Sequence, residues 1–222
     1  MRLTLDQLLS PPQLHDLIAE IGAGEWIDGQ QTAGWHARAV KRNLQLSRQD
    51  PRYASASEQI CVLLRSHPLI QAAVQPRQIH SLLFSRYGAG MEYGRHVDNA
   101  FMGEQGQYRS DVSFTIFLTA PEDYGGGELV IEDCCDEQSY RLAAGSVLLY
   151  PSSSLHRVAP VTRGERWVCV GWIESRIRDP RQREILFDLD TARRTLFARD
   201  GKSELFDLLS KSHSNLLRLW AD

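Results

Sequence analysis

The apolar positions of this chain change their rhythm twice. Leu14, Leu17, Ile18 and Ile21 recur at helical spacing after Ser10-Pro11-Pro12, where a capping serine precedes prolines suited to a first turn, and Gly22 closes the run. Further helical pieces are predicted over residues 57–65 and 69–74, parted at His67-Pro68 because proline disfavours helix in the residue before it. From Arg77 the texture becomes that of short β-branched and aromatic runs, over 79–87, 112–118, 128–131, 146–150 and 167–173. Gly88, Gly90, Gly125-Gly126-Gly127, Gly145 and Gly164 punctuate them at intervals expected of an antiparallel double-sheet or barrel-like body. Beyond Asp179-Pro180 the helical rhythm returns, with Ile185, Leu189, Ala192 and Leu196 on one stripe and Leu205, Leu209, Leu216 and Trp220 on another.

The expected organisation is α+β: an N-terminal helical support over 1–76, a β-domain over 77–178 and a C-terminal helical appendage over 179–222. The last helix is expected to cap the β-body, with a subunit interface as the alternative, so a homo-oligomer stays open. A net charge of -3 from 25 basic and 28 acidic residues gives no footprint for a nucleic-acid backbone and no polybasic membrane patch. Neither a signal-peptide core nor a long apolar stretch is present, which predicts a soluble, cytoplasmic protein. Cys61, Cys134, Cys135 and Cys169 have no C-x-x-C spacing and read as reduced thiols, a Cys134/Cys135 redox switch being the minor reading.

The chemistry starts at His96-Val97-Asp98. Two residues apart in an extended segment, an imidazole and a carboxylate project to one side and can reach one ion, although an H-x-D pair alone is a weak signal. His156, just beyond the run ending at Tyr150, supplies a third ligand. Two histidines and one carboxylate suit iron(II) as a facial triad with open positions, whereas structural zinc is closed by four ligands. Arg166 opens an apolar strand ten residues later, and a forked guanidinium entering a β-core calls for a planar anion; the distal carboxylate of 2-oxoglutarate fits. Arg163 in a solvent-facing turn and Arg157 beside the ligand are the competitors. Tyr87 and Tyr93 are candidate pocket residues, since a phenol joins packing area to a hydrogen-bonding tip, with strand or turn aromatics as the alternative. His80 reads as a hydrogen-bonded structural residue, His15, His36, His67 and His213 as bystanders, and the glycine triplet as a turn, since no Lys-Ser/Thr and no helix follow it.

Tyr87-x-x-Gly90-x-x-Tyr93-x-x-His96-x-Asp98, the distal His156, Arg166 and Gly125-Gly126-Gly127-Glu128-Leu129 together resemble the prolyl- and lysyl-hydroxylase-type (PKHD) iron(II)/2-oxoglutarate oxygenases. Over nearly the whole chain the likeness is to bacterial hydroxylases of the iron-uptake-factor group. That resemblance implies a double-stranded β-helix (jelly-roll) core, Fe(2+) on His96, Asp98 and His156, 2-oxoglutarate on Arg166, and L-ascorbate as supporting reductant. Its expected reaction is hydroxylation of an unactivated C–H bond, in a peptidyl prolyl or lysyl residue or a siderophore-related small molecule, with 2-oxoglutarate converted to succinate. Val168 departs from the small polar residue that many relatives carry two positions after the arginine, so by the resemblance one contact to the co-substrate carboxylate is either missing or supplied by Tyr87, Tyr93 or Thr115. The competing readings are a non-catalytic jelly-roll sensor and a cupin-like oxygenase that needs no 2-oxoglutarate.

Overall fold

In the computed structural model, which describes residues 1–35, 37–103 and 105–222, the alternating segments assemble into two principal antiparallel sheets. The larger has seven strands in the order Leu3–Leu5, Val147–Pro151, Val112–Phe117, Arg166–Ser175, Pro76–Tyr87, Leu44–Leu46 and Trp26–Asp28. Five strands form the smaller, ordered Glu137–Tyr140, Leu129–Glu132, His156–Val158, Glu92–His96 and Lys41–Arg42. Sheet neighbours are mostly distant in sequence, as jelly-roll winding requires. This is the α+β double-stranded β-helix core expected from the sequence.

Period-two alternation sorts the side chains of the larger sheet. Ile79, Leu82, Phe84, Ile116, Cys169 and Ile173 share one core cluster with Leu17 and Ile21 of the Pro11–Gly22 helix, Ile60 and Leu64 of Pro51–Ser66, and Ile70 of Pro68–Val74. Each fully buried leucine or isoleucine contributes about 1.5–3 kcal/mol. With its outer face secured in this way, the sheet is free to turn Leu83, Ser85, Tyr87, Ser113, Thr115, Arg166 and Val170 toward an internal cavity. Ser81, at φ 57°, lies where the pairing with Arg166–Ser175 shifts register, and this bulge returns Ile79 to the helix side.

Helix starts follow the sequence signals. Gln13 accepts from the Ser10 backbone N–H at 3.0 Å, and Asp50 and Asp179 each accept from the N–H two residues on, ahead of Pro51 and Pro180. The second helix therefore begins earlier than the apolar pattern predicts. Four short strands in the first 46 residues were not expected either. Leu3–Leu5 pairs with Val147–Pro151, Lys41–Arg42 with Glu92–His96, and Leu44–Leu46 with both Pro76–Tyr87 and Trp26–Asp28, and Asn43 alone separates Lys41–Arg42 of the smaller sheet from Leu44–Leu46 of the larger.

Helix Pro180–Asp200 departs from its predicted stripe. Ile185 is 46% exposed and Ala192 is exposed, while Arg183, Leu186, Asp190 and Leu196 are buried. The reason is polar: Arg183 donates to the carbonyls of Ile177 and Arg178, and Asp190 pairs with Arg193 and Arg194. Helix Glu204–Trp220 packs chiefly on this helix rather than over the β-body, leaving Leu205, Leu208 and Leu219 exposed. No described helix is long and apolar enough to cross a membrane.

Candidate active site

His96 and His156 are direct partners across adjacent antiparallel strands of the smaller sheet. Their rings lie 4.3 Å apart, and Asp98, just past the end of Glu92–His96, brings Oδ1 to 4.0 Å from His96 Nε2 and 3.8 Å from His156 Nε2. One ligand atom from each residue falls within 4.8 Å of the others. Both rings are oriented from behind: His96 Nδ1 is 2.8 Å from the Gly94 carbonyl and His156 Nδ1 is 3.0 Å from that of Ser154. A proton on each Nδ1 satisfies those carbonyls and leaves each Nε2 lone pair free for a metal. Burial, followed by the neighbouring His156, holds His96 down to about 4, so that ring is neutral and ready to ligate near pH 7. The second oxygen of Asp98 is taken by Ser113, whose hydroxyl donates to it at 2.6 Å.

Arg166 is 1% exposed and lies opposite Tyr87 in the strand register, its guanidinium over the Tyr87 ring at 5.2 Å and the Phe117 ring at 5.6 Å. Its Nε and Nη1 have no acceptor among the described residues. Burial pulls this guanidinium below its ordinary range, with the surrounding phenols of Tyr87, Tyr124 and Tyr150 acting in the opposite sense. A fully buried cation with idle donors and no carboxylate beside it among the described residues is costly unless an anion from outside completes it. The competitors are accounted for: Arg157 pairs with Glu137 at 2.6 Å, and exposed Arg163 donates to the Glu122 carbonyl.

Both halves open into one cavity of about 430 Å³. Tyr87, Tyr93 and Thr115, the second tier of candidates, all line it, as do His96, Asp98, His156 and Arg166. Tyr93 stacks on His96 with centroids 3.7 Å apart, and burial raises its phenol together with those of Tyr87 and Tyr150, keeping all three protonated donors. Val168 is buried in the apolar cluster with Tyr87, Phe117 and Tyr150. Sequence reasoning missed Tyr150, set edge-on to His156 at 5.3 Å, along with Ser113, Lys41 and Gln45. Only Tyr150 carried a signal, as an inward position of the Val147–Pro151 strand. Lys41 is buried, its ammonium 3.0 Å from Thr32 Oγ1 and 5.1 Å from the Tyr93 centroid; burial lowers it to about 8.

The bystanders stay outside this constellation. His80 meets the Arg109 carbonyl at 3.1 Å and stacks on Tyr108, as a structural histidine does. His15, His67 and His213 take no part in the metal-type cluster, and His36 lies outside the described residues. All four cysteines are free, with Cys134 and Cys135 exposed and their sulfurs 3.4 Å apart. A donor set of two imidazoles and one carboxylate fits ferrous iron with positions left open, and the orphaned guanidinium fits a dicarboxylate.

Comparison with known proteins agrees with this chemistry. Residues 82–174 match the model of the 2OG-Fe(II) oxygenase superfamily, and residues 181–222 match that of the PKHD-type hydroxylase C-terminal domain. A PKHD-type hydroxylase of Synechococcus elongatus is 57% identical, and one of Acaryochloris marina 54% identical, each over 100% of both chains. Among solved structures, a Trichoplax adhaerens prolyl hydroxylase in complex with a hypoxia inducible factor peptide superposes with TM-score 0.60 at 14% identity, covering 78% of this chain and 83% of that one. A Pseudomonas putida prolyl-4-hydroxylase gives TM-score 0.54 at 21% identity, covering 79% and 92%. At such identities these two likenesses concern the fold.

Proposed function

The chain belongs to the PKHD-type 2OG-Fe(II) oxygenases and is a 2-oxoglutarate-dependent hydroxylase, and from that premise we propose that His96, Asp98 and His156 hold its ferrous iron and Arg166 the distal carboxylate of its 2-oxoglutarate. The observation that carries the assignment is the pairing, in one cavity, of a two-histidine, one-carboxylate cluster with a buried guanidinium that has no anion among the described residues. Held by these residues, iron and 2-oxoglutarate would supply the O2 chemistry, by which one oxygen atom would enter the substrate C–H bond and the other the succinate formed as 2-oxoglutarate lost CO2.

The protein's own contribution is placement. Carbonyls of Gly94 and Ser154 fix the two imidazoles, and Ser113 fixes Asp98. Arg166 supplies charge and a planar fork for the co-substrate, with the Tyr87 and Tyr93 phenols and the Thr115 hydroxyl as further donors beside it. Val168 adds only apolar surface, so the grip relies on Arg166 and these hydroxyls. L-Ascorbate is the supporting reductant that the family resemblance implies. The target carbon belongs to a peptidyl prolyl or lysyl residue or to a siderophore-related small molecule; the second would tie the enzyme to iron uptake.

The test is a substrate screen for coupled succinate release, with mass measurement of a gain of one oxygen. His96→Ala should lose iron binding and coupled turnover while keeping the fold. Full activity in that variant would overturn the ligand assignment.

A further inference from the structure

The charges lining the cavity do not balance. Lys41, Arg48 and Arg166 stand against Asp98 as the sole carboxylate among the described lining residues. On the reading above, on which this inference rests, a divalent iron, Asp98, Arg166 and a doubly charged 2-oxoglutarate cancel among themselves. Lys41 and Arg48 are left over.

Lys41 is 3% exposed. Asp98 and Asp28 act on it through space without forming an ion pair, and Thr32 Oγ1 at 3.0 Å is its hydrogen-bond acceptor. That hydroxyl is itself held, approaching Gln45 Oε1 at 2.6 Å, while Gln45 Nε2 donates to Ser85 Oγ at 3.2 Å. The chain Thr32, Gln45, Ser85 fixes the ammonium at the cavity wall with one of its three donors used. Filling space does not require a charge here, since an apolar side chain of equal length would pack without desolvating a cation. The Tyr93 ring beneath Lys41 is also the ring stacked on His96, so whatever pairs with the ammonium is placed beside the metal ligands. Arg48, exposed and without an ion pair among the described residues, adds a second positive charge to the same cavity.

We propose that Lys41, supported by Arg48, receives a carboxylate of the primary substrate, so that this hydroxylase acts on a carboxylate-bearing molecule anchored beside the iron site. The carboxylate comes either from a free acid or from an acidic residue in a peptide; the recognition chemistry is the same.

The experiment titrates anaerobic enzyme, loaded with Fe(2+) and 2-oxoglutarate, with two matched pairs of probes in a calorimeter. One pair is N-acetyl-L-proline and its amide; the other is N-acetyl-prolyl-aspartic acid α-amide, with its side-chain carboxylate free, and its asparagine counterpart. The wild type should bind the carboxylate member of at least one pair about tenfold or more tightly than its neutral partner, as expected for one charge-assisted contact. Which pair shows the preference identifies the source. Lys41→Met should erase the preference, and Arg48→Ala, at an exposed position where folding is not at risk, should reduce it. Equal binding within both pairs, no binding of any probe, or a preference that survives Lys41→Met overturns the proposal. So does a loss of 2-oxoglutarate affinity in Lys41→Met matching that of Arg166→Ala, because Lys41 would then serve the co-substrate. Failure of the wild type to bind 2-oxoglutarate at all would sink the parent reading instead.

Discussion

Ser113 donates its hydroxyl to Asp98 Oδ2 at 2.6 Å and meets Ser152 Oγ at 2.8 Å behind it. The carboxylate is thereby pinned from the larger sheet while the two imidazoles are presented by the smaller one and the loop beside it. Removing a partner of this kind typically weakens metal binding about 10- to 100-fold. Ser113→Ala should therefore fold normally and show that loss in a competitive Fe(2+) titration. Undiminished affinity would mean that Asp98 is held by something else.

Arg166 should be a liability until 2-oxoglutarate arrives. Replacing a buried ionic group by an apolar side chain of similar volume is often stabilising, by about 1–4 kcal/mol. Arg166→Met is expected to melt higher than the wild type when both are ligand-free, and to gain nothing from added 2-oxoglutarate. A wild type that melts higher without ligand would show that the Tyr87 and Phe117 rings already satisfy the guanidinium.

Gly127 connects the glycine triplet to the same arginine. At φ 67° it occupies the left-handed region, and a Cβ there would lie 2.9 Å from Arg166 Cδ and 3.0 Å from Val161 Cγ2. Left-handed backbone alone costs a side-chain-bearing residue about 1–2 kcal/mol. Gly127→Ala should lower stability by at least that much in urea unfolding and weaken 2-oxoglutarate binding in calorimetry. A variant that loses stability but keeps its full affinity would separate the turn from the co-substrate site.

Lys41 predicts a particular pH dependence. Burial lowers it to about 8, against the attraction of Asp98 and Asp28 and with the repulsion of Arg48, whereas a lysine in the unfolded chain titrates near ~10.4. The Tyr93 phenol beneath it is raised and stays neutral across this range. Below about 8 both states carry the proton and the folded state bears the full cost of the buried charge. Between that value and ~10.4 the unfolded chain binds more protons, so the cost is relieved as pH rises. The stability deficit of metal-free wild type relative to Lys41→Met should shrink over this window in urea midpoints. A constant difference from pH ~7 to ~11 would contradict the buried charge.

What the sequence disclosed, and what it hid, divides along contact range. His96 and Asp98 announce themselves by spacing, and His156 and Arg166 by their placement at the edges of recognisable strands. Tyr87 was legible as the last position of a long strand and reaches the cavity because it pairs with Arg166. Lys41 and Gln45 could not be found in this way. Strands of two and three residues show too little alternation to betray a face, and these two residues reach the cavity only through pairing with Tyr93 and Ser85. The stripe of Pro180–Asp200 misled for a different reason: Arg183 and Asp190 are buried with their polar groups satisfied, so hydropathy pointed to the wrong side of the helix.

Asn43 is the whole length of chain between an edge strand of one sheet and an inner strand of the other. A link that short behaves as a seam, because parting the two layers by more than a few ångströms would tear residues 41–46 out of both ladders. The two walls are thus tied together along this edge of the chamber. Gly34, Val97, Asn99, Phe101, Met102 and Gly103 line it without belonging to either main sheet, so part of the chamber is bordered by chain that neither principal ladder holds.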